Sequence, residues 1–419
     1  MSNTIYRLGT ANMYDNALRN LGARQTNLSN LQENLTSGKR VVRASDDPVS
    51  AAQAERALTR LTRIQTEQRA LETQRNAIAQ AESSLGDAIG LVQSARELMV
   101  SAGSPALTPN DRATIANQLQ GLREQLLEVA NRKDTNGIPL LGALGSALAP
   151  FLGPQSVSPD YLFNGQPGQT GSTGTSIPNT LDGEFAFMFQ PQRDGAYNVQ
   201  VNPATVNNNQ QLTTTGVKPV DLSLVTGNNY SITFSAVGPG ATPGTTTATY
   251  TITNTTTGAV SAPVVVPDYP TDKPVTISVT GVPGLTFDIK GNPANGDAIT
   301  LQPTASVFST LDSAIRDIRG AANSNAATQA VGQALTNVDI GLERLSNMRS
   351  YAGELLNRAD RITGDQDKRS IQLEGDRSRA EDLDMIKGIS DFQNQQVGYE
   401  AALKSYAQVQ KLSLFNFIS

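Results

Sequence analysis

Glu381-Asp382 with Asp384, and Asp365 with Asp367, are the acidic groupings in this sequence whose spacing invites comparison with a metal site. They lie beside Arg377, Arg379 and Lys368, so the same residues read better as solvated helix faces carrying ion pairs. The chain has no histidine, which removes the commonest general base and the commonest metal ligand. It has no cysteine either, hence no thiol nucleophile, disulfide framework or thiolate site. Carboxylates, lysines and serines remain, but they form no convergent catalytic set, and neither an enzyme nor a metal or cofactor site is expected. Arg40 and Arg43 beside Asp46 and Asp47 offer ion pairs between subunits. Exposed pairs of that kind contribute under about 1 kcal/mol each, too little to drive assembly.

The chemistry the sequence does carry is apolar association at its two ends. Tyr14, Leu21, Leu28 and Leu35 recur every seven residues, with Leu31 between them. Ile389, Phe392, Tyr399, Leu403 and Tyr406 follow the same alternation of threes and fours. The sequence then ends in an apolar tip around Leu414, Phe415 and Phe417. Narrow stripes like these pack only against another helix, so the termini read as assembly devices. A net charge of −5 gives no basic footprint for nucleic acid. Met1 to Asn20 contains no apolar run typical of a cleaved secretory signal, and no stretch is long enough to span a bilayer. Taken alone, this points to the cytoplasm, except that export routes reading an uncleaved N-terminus leave no hydrophobic mark.

The elements that position the two seams follow from patterning. A first helix runs from about Tyr14 to Thr36, breaks at Ser37-Gly38, and gives way to the extended or looped segment Lys39–Arg43. A second opens at Asp47-Pro48, where Asp47 can accept from the free N–H groups of the first turn and Pro48 has no N–H to lose. Ala57, Ile64, Leu71, Ile78, Leu85, Val92 and Met99 then sit seven apart. That helix should run about 50 residues, on the order of 75 Å. A third is capped by Thr108, with Pro109 and Asp111 in its first turn and Ile115, Leu119, Leu122, Leu126 and Val129 on its apolar face. Asn136-Gly137 marks a turn, and Tyr161-Leu162-Phe163-Asn164-Gly165 reads as a short aromatic strand ending in another.

Beyond Gly165, Thr, Asn, Gly and Pro dominate, and no charged residue lies between Asp221 and Asp268. Tyr230–Phe234, Thr249–Ile252 and Val275–Val279 alternate as half-buried strands do, which predicts a small all-β domain. Composition alone would leave Pro239 to Thr247 disordered. Helical patterning resumes at Val307-Phe308 and continues, with interruptions at Gly353 and Gly364, into a terminal helix from Asp376 to about Gln410. The expected fold is therefore α+β, a long-helix coiled-coil rod formed by the N- and C-terminal segments with an inserted all-β outer domain. The expected divisions are an N-terminal assembly helix over 1–45, a helical rod with a β-hairpin over 46–180, and the β domain over 181–305. They continue with the second half of the rod over 306–375 and a C-terminal assembly helix over 376–419.

Motifs at both ends of the chain carry a resemblance to a known family. Thr10–Leu18, Thr36-Ser37-Gly38-Lys39-Arg40 and Ala44-Ser45-Asp46-Asp47-Pro48-Val49-Ser50-Ala51-Ala52 resemble the opening of the bacterial flagellin superfamily. Tyr161–Gly165 and the ending Gln408–Phe417 resemble the members of that superfamily found at the hook–filament junction. The likeness covers about the first 165 and last 110 residues and leaves the middle unmatched. Filament flagellins usually follow the paired Asp with Ala-Ala-Gly, where this sequence has Pro48-Val49. The resemblance implies a structural protein forming a ring of identical subunits between the hook-side junction protein and flagellin. It also implies export through the flagellar type III apparatus with a dedicated export chaperone, to a final location outside the cell in the flagellum. A cysteine-free chain suits passage into an oxidising exterior. The competing readings are a flagellin forming the filament itself, and an enzyme or surface-binding module housed in the β domain. The terminal segments of the free subunit are expected to be largely disordered, because isolated helices of this length are marginal.

Overall fold

A computed structural model describes residues 3–156, 159–202 and 212–418. In chain order, α1 spans Asn3–Ser37, α2 Pro48–Ala102 and α3 Pro109–Ala130. A two-stranded hairpin follows, β1 Phe151–Leu152 and β2 Leu162–Phe163, then the short helices α4 Gly183–Phe187 and α5 Pro191–Asp194. Next come β3 Tyr197–Asn202, β4 Thr213–Thr214, β5 Lys218–Pro219, β6 Tyr230–Pro239, β7 Thr245–Asn254, β8 Val264–Pro270, β9 Val275–Val279, β10 Leu285–Gly291 and β11 Ala298–Pro303. The chain returns to helix with α6 Val307–Gly320, α7 Ser324–Glu381 and α8 Met385–Ile418. The architecture is thus long N- and C-terminal helices around an inserted all-β domain. The chain divides into two compact units, one of residues 1–69 with 363–419 and one of residues 70–362.

Within the larger unit, the second half of α2 packs with α3, α6 and α7 around one apolar core. Leu71, Ile78, Leu85, Val92 and Met99 are all buried, as the seven-residue spacing requires. Ala81, Ala88, Ala95 and Ala102 fill the intermediate positions, so large and small side chains alternate along the seam. Ion pairs Arg75–Asp360 (3.0 Å), Arg349–Glu82 (2.7 Å) and Arg96–Asp339 (2.8 Å) rim it. As the α2 residue advances from 75 through 82 to 96, its α7 partner falls from 360 through 349 to 339, so α2 and α7 run antiparallel. The capping box of α3 is present: Thr108 Oγ1 accepts from Asp111 N, and Asp111 accepts from Thr108 N at 2.9 Å.

The aromatic motif closes this core. Tyr161 is fully buried, stacks on Phe308 at 5.1 Å and donates its hydroxyl proton to Asp312 at 2.6 Å. Burial, and then that hydrogen bond, push the Tyr161 phenol far up from its ordinary value. Gly165 is required because a Cβ there would stand 2.4 Å from the Phe163 ring.

The β domain is two antiparallel sheets facing each other across a core of Ile232, Phe234, Ile252, Ile299 and Leu301 from one and Val279, Phe287 and Ile289 from the other. Strand order is β3-β11-β6-β7-β8 in the larger sheet and β4-β10-β5 in the smaller, with β9 also on β10. Entry and exit of the insertion are bonded together: Phe189 N donates to Ala305 O at 2.8 Å and Thr304 N to Ala196 O at 3.0 Å. Beneath them Asp194, with a fully buried side chain, takes the guanidinium groups of Arg344 and Arg193 and the amide of Gln190. Both guanidinium groups also lie over the Phe185 ring, at 4.7 and 5.0 Å.

Several expectations shift. The first helix begins at Asn3, ahead of Tyr14. Residues 183–194, expected in the β domain, form α4 and α5 because Asp182 caps one and Pro191 starts the other. Pro239 to Thr247 is ordered as the β6–β7 hairpin, pinned by Gly240 N to Thr245 O (2.9 Å) and Thr242 N to Asp268 (3.1 Å). Gly353 and Gly364 do not interrupt α7. A mid-helix glycine costs about 1 kcal/mol, which the buried Ala352, Leu355, Ala359 and Ile362 around them outweigh. The break before the last helix falls at 382–384 instead of near Asp376.

Replacing Asp194 by Ala would take the buried carboxylate from two partly buried guanidinium groups and leave Arg193 with Glu184 at 3.5 Å, and should cost about 3 kcal/mol of stability. Urea denaturation of the full chain checks this, and Asp194→Asn should recover only part of the loss.

Candidate assembly interface

The smaller unit holds both terminal seams. On α1 the partly covered positions include Ala17, Leu21, Arg24, Leu28, Leu31 and Leu35, spaced by fours and threes, with Glu33 and Asn34 added near its end. On α8 Gly388 is buried and Phe392, Gln395, Tyr399, Ala402 and Tyr406 are partly covered with the same spacing, as is Gly398 beside Tyr399. These two stripes meet. A Cβ on Gly388 would stand 3.2 Å from Leu35 Cδ2, and one on Gly398 would stand 2.6 Å from the Arg24 guanidinium. Tyr406 donates a hydrogen bond to the Tyr14 hydroxyl at 2.7 Å, with ring centroids 5.5 Å apart. That bond raises the Tyr406 phenol's pKa. The partners 35/388, 24/398 and 14/406 show that α1 and α8 are antiparallel.

Tyr14, Leu21, Leu28, Leu31, Leu35, Phe392, Tyr399 and Tyr406 therefore share one contact face, although Tyr14 stays 40% exposed. Ile389 and Leu403 do not share it. Each lies one residue beyond a covered position, Gly388 or Ala402, and stays 46% and 42% exposed. With Met385, Ile386 and Val397 they make a second apolar face on α8 that nothing in this unit covers. Leu414, Phe415 and Phe417 fall in the last turns of α8, and their side chains lie outside the described residues. The two glycines escaped the sequence reading because a search for apolar anchors ignores the positions that let helices approach. Their ten-residue separation is just under three turns of helix and sets them about 80° apart around the axis, so spacing alone gave no signal.

The seams are registered by a bond between two helix breaks. Leu383 N donates to Gly38 O at 2.9 Å, and Arg40 N and Val41 N donate to Glu381 O at 2.7 and 3.3 Å. Gly38 has φ +70°, the left-handed conformation that suits the end of α1. Lys39 pairs with the Glu381 carboxylate, and Arg40 reaches Ala380 O (2.8 Å), Asp47 (3.1 Å) and Ser50 (3.0 Å). Arg43 pairs with Glu33 at 2.9 Å, and its amide donates to Asp46 at 2.8 Å. Within this chain the four residues expected to offer ion pairs between subunits are thus engaged in ordering the α1–α2 connection.

The acidic groupings dissolve in the same way. Glu381 is held by Lys39 and Arg377, Asp365 pairs with Lys368 at 3.6 Å, and Asp367 accepts from Gln68 at 2.8 Å. Asp384 caps α8 by accepting from Ile386 N and Lys387 N at 3.1 and 3.2 Å. Among the described residues no group of three or more His, Cys, Asp or Glu could hold a metal ion, and no helix is long and apolar enough to cross a membrane.

Comparison with known proteins adds an independent line. Residues 9–144 match the family model of the bacterial flagellin N-terminal helical region. Over 147 residues the chain is 35% identical to flagellar hook-associated protein 3 of Salmonella typhimurium, an alignment covering 35% of this chain and 46% of that protein. The chain thus spans just under half the length of that relative. A flagellin of Clostridium tyrobutyricum is 27% identical over 129 residues, 31% of this chain and 34% of that protein. Among solved structures, the flagellar junction protein FlgL from Legionella pneumophila superposes with a TM-score of 0.59 at 22% identity, covering 79% of this chain and 100% of that one. The last likeness concerns the fold. Over that N-terminal stretch the chain is similar both to flagellar hook-associated protein 3 and to the flagellin-type helical region.

At the start of α2, Asp47 accepts from Ser50 Oγ (2.6 Å), Ser50 N (3.1 Å) and Arg40, and these bonds hold its carboxyl at about 2, below the ordinary 3.8. A carboxyl whose folded pKa is depressed contributes stability that is complete above the unfolded value and is lost as pH falls through the folded one. NMR titration should find Asp47 still ionised at pH 3, and Ser50→Ala should move its midpoint up toward the ordinary value.

Proposed function

We propose that this chain is a structural adaptor of the bacterial flagellum. It would sit where hook meets filament and join the hook-side junction protein to flagellin through its paired terminal helices. The observation that carries the reading is the second apolar face of α8, formed by Met385, Ile386, Ile389, Val397 and Leu403, beside a seam that α1 covers only in part. An adaptor needs such a residue of unburied surface, whereas a self-sufficient bundle does not. Relatives named as flagellar hook-associated protein 3 and as flagellin support the location.

The working parts are Tyr14, Leu21, Leu28, Leu31 and Leu35 on the first helix and Ile389, Phe392, Tyr399, Leu403 and Tyr406 on the last. Leu414, Phe415 and Phe417 form the tip that axial neighbours would cover. Copies of the chain form a closed ring, and identical heterologous contacts around an axis give that closure. Before assembly the terminal segments, up to about Thr36 and from about Gly388, exchange between open and paired forms, because a lone two-helix seam is marginal. Assembly then supplies the missing neighbours and fixes the helices. The subunit leaves the cell through the flagellar export route, with a chaperone shielding the apolar termini on the way.

Gold-labelled antibody electron microscopy of flagella from the source bacterium tests the location. One cluster at the hook–filament boundary is expected; label along the whole filament would make the chain a flagellin instead. For the mechanism, limited proteolysis of the soluble subunit should remove the first and last thirty-odd residues first, and resistance there would refute the exchange. Replacing Leu28 by Ala should weaken association by about 2–4 kcal/mol per subunit, read as filaments shed from the hook.

A further inference from the structure

Tyr14 and Tyr406 stand out among the ten tyrosines of the chain. Tyr161, Tyr197, Tyr230, Tyr250 and Tyr269 are buried in the cores of the larger unit. Among the described residues, the ring contacts include one between two tyrosines, and it is this pair: centroids 5.5 Å apart, planes at 41°, hydroxyls 2.7 Å apart. The pair is reachable from solvent, since Tyr14 is 40% exposed. It also joins the first helix of the chain to the last, and the chain has no cysteine with which to make that link.

We propose that Tyr14 and Tyr406 are a site of oxidative cross-linking, where a dityrosine bond closes α1 onto α8. Each phenol gives up one electron and one proton to a peroxidase-type oxidant using hydrogen peroxide. The two phenoxyl radicals join through ring carbons ortho to their hydroxyls. Both rings then regain aromaticity by returning the ortho hydrogens to the oxygens. The balance is two phenols and one hydrogen peroxide giving one dityrosine and two waters. The hydrogen bond between the hydroxyls favours the step, because the donor's proton already has an acceptor when the electron leaves. Ring contact favours coupling within the chain over coupling between chains, as it spares the entropy of bringing two radicals together. The product is a covalent staple with the topological effect of a disulfide: it would tie residues 14 and 406 and remove the freedom of the open termini.

The test uses the full-length chain, dilute, with hydrogen peroxide and a haem peroxidase. The expected result is dityrosine fluorescence in the monomer band and an intact mass lower by two hydrogens. Digestion should yield one linked peptide joining the Tyr14 and Tyr406 segments. Tyr14→Phe and Tyr406→Phe keep the ring packing and should each abolish that monomeric product, while Tyr351→Phe should leave it intact. Linked peptides that map elsewhere, or a monomeric product that survives Tyr14→Phe, would overturn the assignment. Helix content measured on each variant separates loss of the site from loss of the fold.

Discussion

Two helix breaks bonded to each other are the constraint on which the terminal pairing depends. The backbone of Gly38–Val41 holds that of Glu381–Leu383, and this fixes where α1 ends relative to where α8 starts. From that point the helices run antiparallel, and their three-four stripes need no further registration. Without the bond, a stripe of evenly spaced leucines would pair about as well after slipping by one heptad. The polar groups in the breaks therefore do what the apolar seam cannot. They supply the direction and the zero of the pairing, while the leucines and aromatics supply its strength.

The inserted domain obeys a similar logic with different chemistry. Its entry and exit strands are hydrogen-bonded neighbours, so an insertion of this size leaves the surrounding helices continuous with each other in space. Asp194 is the buried charge that fixes this point, held by two arginines that also cover Phe185. A buried carboxylate so fully partnered contributes geometry more than net stability. The aromatic cluster of Tyr161, Phe308, Phe187 and Phe151 sits in the same helical core, which links the short hairpin to α6.

Much of this was legible from residue spacing. The buried stripe of α2, the Thr108 capping box, the Asp47-Pro48 start and the alternation of β6, β7 and β9 all follow from local rules. What escaped has physical causes. Gly353 and Gly364 look like helix breakers until the packing of Leu355 and Ile362 is known. Asp384 looks like part of an acidic cluster until the chain is seen to turn there and use it as a cap. Ile389 and Leu403 fit the heptad pattern as well as Gly388 and Ala402 do, because periodicity cannot separate two adjacent faces of one helix. A contact face built on glycine carries little hydrophobic signal at all, although it brings backbones closest.

The uncharged stretch of the β domain has a consequence for the setting in which such a protein would work. Strands β6 and β7 form the middle of the larger sheet and carry no carboxylate, ammonium or guanidinium group. Their ionisable side chains are Tyr230 and Tyr250, and burial pushes the Tyr250 phenol still higher. Nothing in this hairpin gains or loses charge as the medium turns acidic, and it has no ion pair for salt to screen. Along the strands its pairing rests on hydroxyls, amides and buried apolar rings. The Asp268 carboxylate bonds to it at Thr242 and Thr245, so acid and brine find a charge to disturb at the tip and none along the ladder.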